Sequence, residues 1–342
     1  MKILVRATNW IGDAVLSLPA IRLLRTQYPD AEIVVLARPW VAALYEGESS
    51  INRVIPLLGT PGLKAWSEKR RVVSELRREH FDLAILLPNS FESALLVYLA
   101  GIPRRIGYVR DGRSALLTEP ITLPKRGEIP RHERYYYPEM LRRAGIVAEL
   151  PLFDEIRFDG IPSSQARGSA LLQARGFAGP VVGVSPGAAF GSAKRWSSDS
   201  FSEAARSLAA KTGASVAVFG SASERALCED VTFATGGINL AGLTTLREFI
   251  DMVAACKVFL ANDSGAMHVA AALGTPCVTV FGPTDETGTG PVGNTARIVR
   301  EPVGCAPCKL RECPLEHQCM AGVPATRVVA VALSLLDPAS RW

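Results

Sequence analysis

Residues 258–281 read VFLANDSGAMHVAAALGTPCVTVF, and they predict a strand, a loop, a helix and a second strand in direct succession. The strands are the apolar runs at 258–261 and 277–281, and the helix is the stretch at 265–273. Short buried strands that alternate with helices are typical of a parallel sheet covered by helices. This stretch therefore predicts an α/β fold.

The same alternation extends outward along most of the chain. Further strands are predicted at residues 2–7, 32–36, 54–57, 83–87, 181–185 and 215–219, and further helices near 201–211, 246–255 and 325–336. Pro19 should kink or restart the helix that follows the first strand. The alternation breaks at residues 159–164, whose glycine, proline and serines predict a linker between two series.

The two series predict two doubly wound domains, residues 1–162 and 163–324. We favour a pair of Rossmann-like domains that face each other across a cleft, because the second series repeats the first in style. The alternative is a Rossmann domain joined to an unrelated catalytic domain. In either arrangement, ligands are expected at the carboxyl ends of the strands.

Composition places the chain among globular proteins with substantial cores. It has 342 residues, of which 48% are hydrophobic and 21% are charged, a balance that excludes disorder. Arg6 and Asp13 interrupt the apolar start, so a signal peptide is not expected. The longest uncharged run, between Asp263 and Asp285, contains glycines and prolines and does not predict a membrane span. We expect a cytoplasmic protein whose seven cysteines are reduced.

Positive charge is concentrated in two stretches. The net charge is +5, and the surplus lies mainly at residues 64–78 and 104–134. These stretches are either ordinary solvated faces or a surface that meets an anionic partner such as a phosphorylated lipid. Nucleic acid is not expected, because the basic stretches lack the interleaved aromatic residues of a strand-binding groove.

Two loops in the second domain favour phosphate binding. The loop at 185–196, SPGAAFGSAKRW, combines small residues with the cations Lys194 and Arg195. The loop at 262–268, NDSGAMH, opens a helix whose first N–H groups can bind an anion. Asp263 and Ser264 are alternatively helix caps, and His268 is alternatively a core residue. We predict a nucleotide-diphosphate site here. Its predicted residues are Ser185, Gly187, Lys194, Arg195, Trp196, Gly220, Ser221, Asp263, Ser264, Gly265, Met267 and His268.

Two further motifs leave alternatives open. Asp13, in the NWIGD stretch at 9–13, is either a charge favoured by the helix dipole or a general base. Four cysteines follow the spacing Cys305-x2-Cys308-x4-Cys313-x5-Cys319, which permits a structural metal site, a disulfide or free thiols. No Asp-x-Asp motif occurs, so no catalytic metal or other cofactor is expected.

An ordered set of motifs resembles the lipopolysaccharide heptosyltransferases, and among them the type II enzymes most. The motifs are NWIGD at 9–13, LPNSF at 87–91, GIPRRIG at 101–107, PGA at 186–188 with AKRW at 193–196, and NDSGAMHVAAAL at 262–273. The resemblance implies a GT-B fold with a C-terminal helix, residues 325–342, that returns to the N-terminal domain. It also implies an inverting, metal-independent transfer of heptose from ADP-heptose to the heptosyl-Kdo2-lipid A inner core.

The resemblance also implies roles for residues. Asp13 would be the base, and Lys194 with the loop at 263–268 would bind the diphosphate and sugar of ADP-heptose. The N-terminal domain would bind the acceptor, at the inner face of the cytoplasmic membrane. The acceptor residues are predicted to be Asn9, Trp10, Gly12, Asn89, Ser90, Arg104, Arg105, Arg110 and Arg113, with Lys64, Arg70 and Arg131 as further basic candidates. The competing hypotheses are a sugar-nucleotide epimerase and a noncatalytic nucleotide- or glycan-binding protein.

Overall fold

The chain divides into two compact units. A computed structural model describes residues 1–59 and 66–337, and its first unit ends at Phe153. This boundary precedes the one predicted after residue 162. The reason is local packing: Ile156 and Phe158 are buried, and the Phe158 N–H donates to the Ala272 carbonyl in the second unit at 3.0 Å.

The first unit contains one parallel sheet of six strands. Its strand order is β3-β2-β1-β4-β5-β6. The strands are β1 Lys2–Arg6, β2 Glu32–Ala37, β3 Arg53–Pro56, β4 Leu83–Leu86, β5 Arg104–Tyr108 and β6 Glu119–Ile121. The helices are α1 Ile11–Gln27, α2 Pro39–Ala42, α3 Trp66–Arg78, α4 Phe91–Leu99 and α5 Tyr136–Arg143, with short 3-10 turns at Ser114–Leu116 and Glu133–Tyr135.

The second unit contains another six-stranded parallel sheet, in the order β12-β11-β10-β7-β8-β9. The strands are β7 Val181–Ser185, β8 Ser215–Val218, β9 Ile238–Asn239, β10 Val258–Asn262, β11 Cys277–Phe281 and β12 Ala296–Arg300. The helices are α6 Ile161–Ala174, α7 Ser198–Thr212, α8 Arg225–Thr235, α9 Leu246–Ala254, α10 Gly265–Leu273, α11 Glu286–Thr289, α12 Gln318–Ala321 and α13 Ala325–Leu336, with 3-10 turns at Ser192–Lys194 and Ala222–Glu224.

Both sheets are doubly wound, as predicted. The order reverses beside the first strand of each unit: β1 lies between β2 and β4, and β7 lies between β8 and β10. The central strands are buried on both faces because helices cover both sides of a parallel sheet. Loops that leave adjacent strands at a reversal point form the ligand crevice in such sheets.

Helix α1 continues through Pro19 as one helix, so the predicted alternative of a restart is wrong. Proline removes one helical hydrogen bond and clashes with the preceding turn, at a cost of about 3 kcal/mol. Here Pro19 itself is buried together with Leu18 and Ile21. We infer that packing of this apolar face outweighs the lost bond.

The C-terminal helix α13 belongs to the second unit. Val328, Val329 and Ala332 share one hydrophobic core with Leu208 of α7. The structure thus places residues 325–336 in the second unit, where the sequence predicted a return to the first; residues 338–342 lie outside the described range. Within the described residues, no helix has the length and hydropathy needed to cross a membrane.

Candidate functional site

Asn262 joins the two predicted phosphate loops at the carboxyl edge of the second sheet. Strands β7 and β10 run side by side, with Ser185 opposite Ala261. The Asn262 side chain is fully buried; its Nδ2 donates to the Pro186 carbonyl at 2.7 Å, and its Oδ1 accepts from the Trp196 N–H at 2.9 Å. Asn262 thus holds both ends of the loop. The sequence analysis includes Asn262 in its loop but does not predict this role. The available signal was a polar residue at the end of a fully buried strand.

The same edge carries a nearly buried ion pair. Lys194 Nζ lies 2.6 Å from Asp263 Oδ2, and the two side chains are 13% and 6% exposed. The Thr284 hydroxyl donates to the same carboxylate oxygen. Lys194 Nζ also lies 4.9 Å from the centre of the Phe190 ring, within cation–π range. The ammonium is therefore held at the strand ends, with its charge balanced by Asp263.

Helix α10 begins beside this pair without a side-chain cap. Ser264 is its N-cap residue, but the Ser264 side chain makes no capping hydrogen bond. The buried Ser264 Oγ has no hydrogen-bond partner among the residues that the structure describes. The first N–H groups of a helix need partners, and together they attract an anion. Ser264 and Gly265 are thus placed to bind one.

Gly187 and Gly220 lie in close contact with the side chains of Glu224 and Cys228. A β-carbon on Gly187 would lie 2.0 Å from Glu224 Oε1, and one on Gly220 would lie 2.8 Å from Cys228 Sγ. Glu224 in turn accepts from the Ser221 N–H at 2.8 Å in a capping box. These glycines, predicted for ligand approach, have a packing role within the second unit.

Two predicted donor residues are core residues instead. Trp196 is 1% exposed; its ring N–H donates to the Val323 carbonyl at 3.0 Å, and its ring packs edge-on against Phe201. Met267 is fully buried and accepts a hydrogen bond from Thr279. Their buried side chains therefore anchor the loop at 185–196 and helix α10 to the core.

The remaining predicted donor residues differ in how deeply they are buried. Ser185 is buried at the last position of β7, and His268 is buried within α10. Arg195 is half-buried, and its Nε has no hydrogen-bond partner within the described part of the chain.

In the first unit, the loop after β1 is held by a buried arginine. Arg6 ends the strand, and its Nη2 donates to Asn9 Oδ1 at 2.8 Å. The ring N–H of Trp40 donates to the Asn9 carbonyl at 2.9 Å. Burial, together with the nearby charge of Arg38, lowers the pKa of Arg6 to about 10. Trp10 is left 59% exposed next to this fixed asparagine.

Asp13 lies in the first turn of α1, where the helix dipole favours a carboxylate. It is half-buried and close to two buried phenols, with Gly12 beside it in the same turn. Burial, with a smaller contribution from the charge of Asp13, raises the pKa of Tyr45 to about 12. Tyr137 is affected in the same direction by the same two causes. The Asp13 carboxylate is thus partly shielded from solvent.

Arg113 shapes the loop after β4 and is not available to an acceptor. It is fully buried and donates to the Tyr108 carbonyl at 3.0 Å and to Ser93 Oγ at 2.9 Å. Burial lowers its pKa to about 10. Its Nη2 also donates to Asn89 Oδ1 at 3.3 Å, while Ser90 caps α4. The acceptor role predicted for Arg113 is therefore replaced by a positioning role.

The other predicted cations are divided between the two edges of the sheet. Arg104 and Arg105 begin β5, which runs parallel to β1 and β4, so they lie at the amino edge, away from Asn9. Arg104 pairs with Glu119 there at 2.8 Å. Arg110 follows β5 at the carboxyl edge and is exposed. Two further candidates, Arg70 and Arg131, are exposed, and Lys64 lies outside the described residues.

A buried charge cluster near the first site was not predicted. Arg38, the residue after β2, lies 3.0 Å from Glu92, and Lys69 lies 3.6 Å from the same carboxylate. Both cations are fully buried. A charged residue directly after a buried strand was the available signal.

The cysteines form two groups. Cys228, Cys256 and Cys277 are core residues, as predicted, and burial raises the pKa of each thiol to about 12. The other four line one small cavity together, and all seven are free thiols.

Comparison with known proteins identifies the family. The profile of Glycosyltransferase family 9 (heptosyltransferase) matches residues 69–319. Lipopolysaccharide heptosyltransferase 2 of Salmonella typhimurium is 34% identical, with 98% of this chain and 99% of the relative covered. The Escherichia coli protein of the same name is 35% identical, with 88% of each chain covered. The solved structure of the E. coli ADP-heptose LPS heptosyltransferase II matches with a TM-score of 0.81 and 31% identity, over 98% of each chain. The chain therefore belongs to glycosyltransferase family 9, the heptosyltransferases, and has the GT-B fold of two helix-flanked parallel sheets.

Proposed function

We propose that this protein is a type II lipopolysaccharide heptosyltransferase. It transfers L-glycero-D-manno-heptose from ADP-heptose to the heptosyl-Kdo2-lipid A inner core, with inversion at the anomeric carbon and without a catalytic metal. The names of the relatives that cover nearly the whole chain support the substrate class. The observation that carries the proposal is Lys194, held by Asp263 next to the uncapped start of α10.

The second unit binds the ADP-heptose donor in this proposal. The first N–H groups of α10, the unpartnered Ser264 hydroxyl and the Lys194 ammonium are donors for the diphosphate. An arriving diphosphate competes with Asp263 for Lys194, while Thr284 continues to hold the Asp263 carboxylate. Donors of this kind stabilise the negative charge that develops on the departing ADP.

The first unit binds the acceptor and supplies the base. Asp13 takes the proton of the acceptor hydroxyl as its oxygen attacks the anomeric carbon of heptose. The bond from that carbon to the diphosphate breaks, ADP leaves, and one displacement inverts the configuration. Two residues of the same loop contact the acceptor sugar. They are Asn9, which Arg6 holds in place, and the exposed Trp10.

The acceptor is an anionic lipid-linked sugar, so the protein acts in the cytoplasm and peripherally at the inner membrane. Arg70, Arg110 and Arg131 are exposed on the first unit and are the described candidates for this contact. Each cation near an anionic membrane surface contributes about 1 kcal/mol.

The test is transfer by the purified chain, followed by mass spectrometry. ADP-heptose is supplied with Kdo2-lipid A that carries either no heptose or one heptose. We expect addition of one heptose only to the one-heptose acceptor, and equal rates with and without added Mg²⁺ or Mn²⁺. NMR of the product linkage reports inversion.

Other outcomes of this assay contradict the proposal in different ways. Addition to the heptose-free acceptor would replace the type II assignment by type I. Turnover of ADP-heptose without any acceptor would favour an epimerase. Tight ADP binding with no turnover under any condition would favour a noncatalytic binding protein.

A further inference from the structure

Four cysteines within 15 residues of the sequence line one cavity in the second unit. Cys305, Cys308, Cys313 and Cys319 contribute to its wall together with six other residues: Ala193, Pro283, Ala306, Leu315, His317 and Gln318. The cavity has a volume of about 20 Å³. That is room for about one water-sized sphere, so the cavity as it stands fits a single ion.

The chemistry of the lining fits a thiolate-bound zinc ion. Apart from the four thiols, the wall is mainly apolar, and the His317 Nε2 is already engaged at 2.6 Å by the Ala193 carbonyl. Four thiolates without oxygen ligands form the tetrahedral set that structural zinc prefers. The sequence spacing alone left this open, because it contains only one Cys-x2-Cys pair.

The segment that carries these thiols has no regular secondary structure. Between the end of β12 at Arg300 and the start of α12 at Gln318, the chain forms no helix or strand. Leu310 and Leu315 on this segment are 44% and 64% exposed, so they add little to a core. Irregular segments of this length inside a compact unit are uncommon unless they have a function or a separate fastening.

This irregular segment is nonetheless attached to the loop that carries Lys194. The Arg311 carbonyl accepts from the Ala193 N–H at 3.0 Å, and the Lys309 N–H donates to the Pro283 carbonyl at 2.7 Å. A β-carbon on Gly191 would lie 2.2 Å from the Arg311 carbonyl oxygen, so the two backbones are in close contact. The Arg311 guanidinium also stacks 5.3 Å from the centre of the Phe190 ring, on which Lys194 packs.

We propose that Cys305, Cys308, Cys313 and Cys319 are the ligands of one structural Zn²⁺ ion. The ion orders the irregular segment and thereby supports the Lys194 loop, which contacts this segment at Arg311. In the described residues, no three potential ligands yet converge on one point. Cys319 is buried at the start of α12, whereas Cys305 and Cys308 are exposed. Zinc binding draws these two thiols and Cys313 onto Cys319, and each loses its proton to solvent as it coordinates.

The first experiment measures metal in the full-length chain. The protein is purified without chelator from medium that contains both zinc and iron, and its metals are measured by mass spectrometry. We expect about one zinc per chain, and visible absorption bands of tetrahedral cobalt thiolate after exchange with Co²⁺. Less than a tenth of a zinc per chain would overturn the proposal, and one iron per chain would overturn the choice of ion.

A thiol assay keeps the proposal testable if ligand variants fail to fold. In the native, freshly reduced protein, Ellman's reagent should react slowly with the exposed Cys305 and Cys308, and rapidly once dialysis against a strong chelator has removed the metal. Rapid reaction of both thiols before release would contradict ligation. Cys308→Ser should lose the zinc, whereas Cys277→Ala, a change in the core, should keep it.

The link to the Lys194 loop is tested by ADP binding and rests on the proposed function. We expect zinc-free protein to bind ADP about tenfold more weakly, because the loop loses a fastening. Zinc present with unchanged ADP binding would overturn the link while the ion assignment stands. Protein that contains no zinc as purified and yet binds ADP would overturn the ion assignment while the proposed donor site stands.

Discussion

The carboxyl edges of the two sheets hold positive charge in different ways. In the first unit, Arg6, Arg38 and Arg113 are buried, and their guanidinium groups donate mainly to backbone carbonyls or to neighbouring side chains. In the second unit, Lys194 is a single ammonium whose charge is balanced by Asp263. One edge therefore uses planar, many-donor cations, and the other uses a compact point charge.

The difference indicates different tasks. A buried guanidinium can satisfy several backbone oxygens at once, so it fixes the shape of a loop and is costly to move. An ammonium in a single ion pair can exchange one anion for another without rebuilding the loop around it. In our proposal, the first edge is a rigid support for Asn9 and Asp13, and the second is an anion-exchange site at Lys194.

The largest expected effect is on catalysis at the first edge. Asp13→Asn should lower kcat about 1,000-fold, within the range for loss of a general base. ADP affinity should stay within about twofold, because Asp13 belongs to the unit that does not hold the donor in our proposal. Initial-rate transfer assays measure kcat, and calorimetric titration measures ADP affinity.

The matched control for this prediction is Asp30→Asn, which changes an exposed aspartate in the turn before β2. Its kcat should equal that of the wild type. If Asp13→Asn weakened ADP binding as strongly as it lowered kcat, the division of tasks between the two edges would fail.

The sequence was informative about these edges where the pattern is local. Strands and helices with a strong apolar alternation, such as β10 and α10, lie within one residue of the predicted ends. The predicted phosphate loops follow β7 and β10, which are adjacent in the sheet. The loops lie close together because parallel strands end at the same edge. By contrast, β5 begins with two arginines and β12 ends with one, so these half-exposed strands lacked an apolar pattern and were not predicted.

Side-chain direction within the loops was not predictable from the sequence. Trp196 looked like a ligand-binding residue because it ends a basic motif, but its partner, the Val323 carbonyl, is 127 residues away. Arg113 is similar, since carbonyls from separate loops enclose it. Burial in an irregular loop depends on such distant partners, and one sequence does not reveal them.

The second largest effect is expected at Lys194. Lys194→Gln should weaken ADP binding roughly 100-fold, in the range measured when one member of a buried charge pair is removed. The control is Lys257→Ala, which removes an exposed lysine just before β10, at the opposite edge of the same sheet. That variant should bind ADP normally.

A double variant separates binding from support of the fold. Lys194→Gln leaves the buried Asp263 carboxylate without its cation, so the single variant should also lose stability. Adding Asp263→Asn removes that unpaired charge and should restore the free energy of unfolding, while ADP affinity stays low. Recovery of ADP affinity in the double variant would mean that Lys194 only stabilises the loop.

The smallest effect is expected at the amino edge of the first sheet, where charges have a structural role only. Glu79 pairs with Lys2, and with Arg53 at 2.6 Å, and its side chain is 23% exposed. The hydrogen bond from Lys2 lowers the pKa of Glu79, and the bond from Arg53 lowers it further. Glu79→Gln should therefore cost about 1 kcal/mol of unfolding free energy at pH 7, the upper range for partly exposed pairs.

The sign of this shift sets the pH dependence. A carboxylate whose folded pKa lies below its unfolded value of about 4.3 stabilises the fold fully above that value, and the stabilisation disappears as pH falls through the folded pKa. Urea unfolding at pH 7 and below pH 4 should thus show wild type and Glu79→Gln converging in acid, with transfer activity at pH 7 equal in both. A constant difference across this pH range would show that Glu79 stabilises the edge by packing, and a loss of activity would show that the amino edge is not separate from the catalytic one.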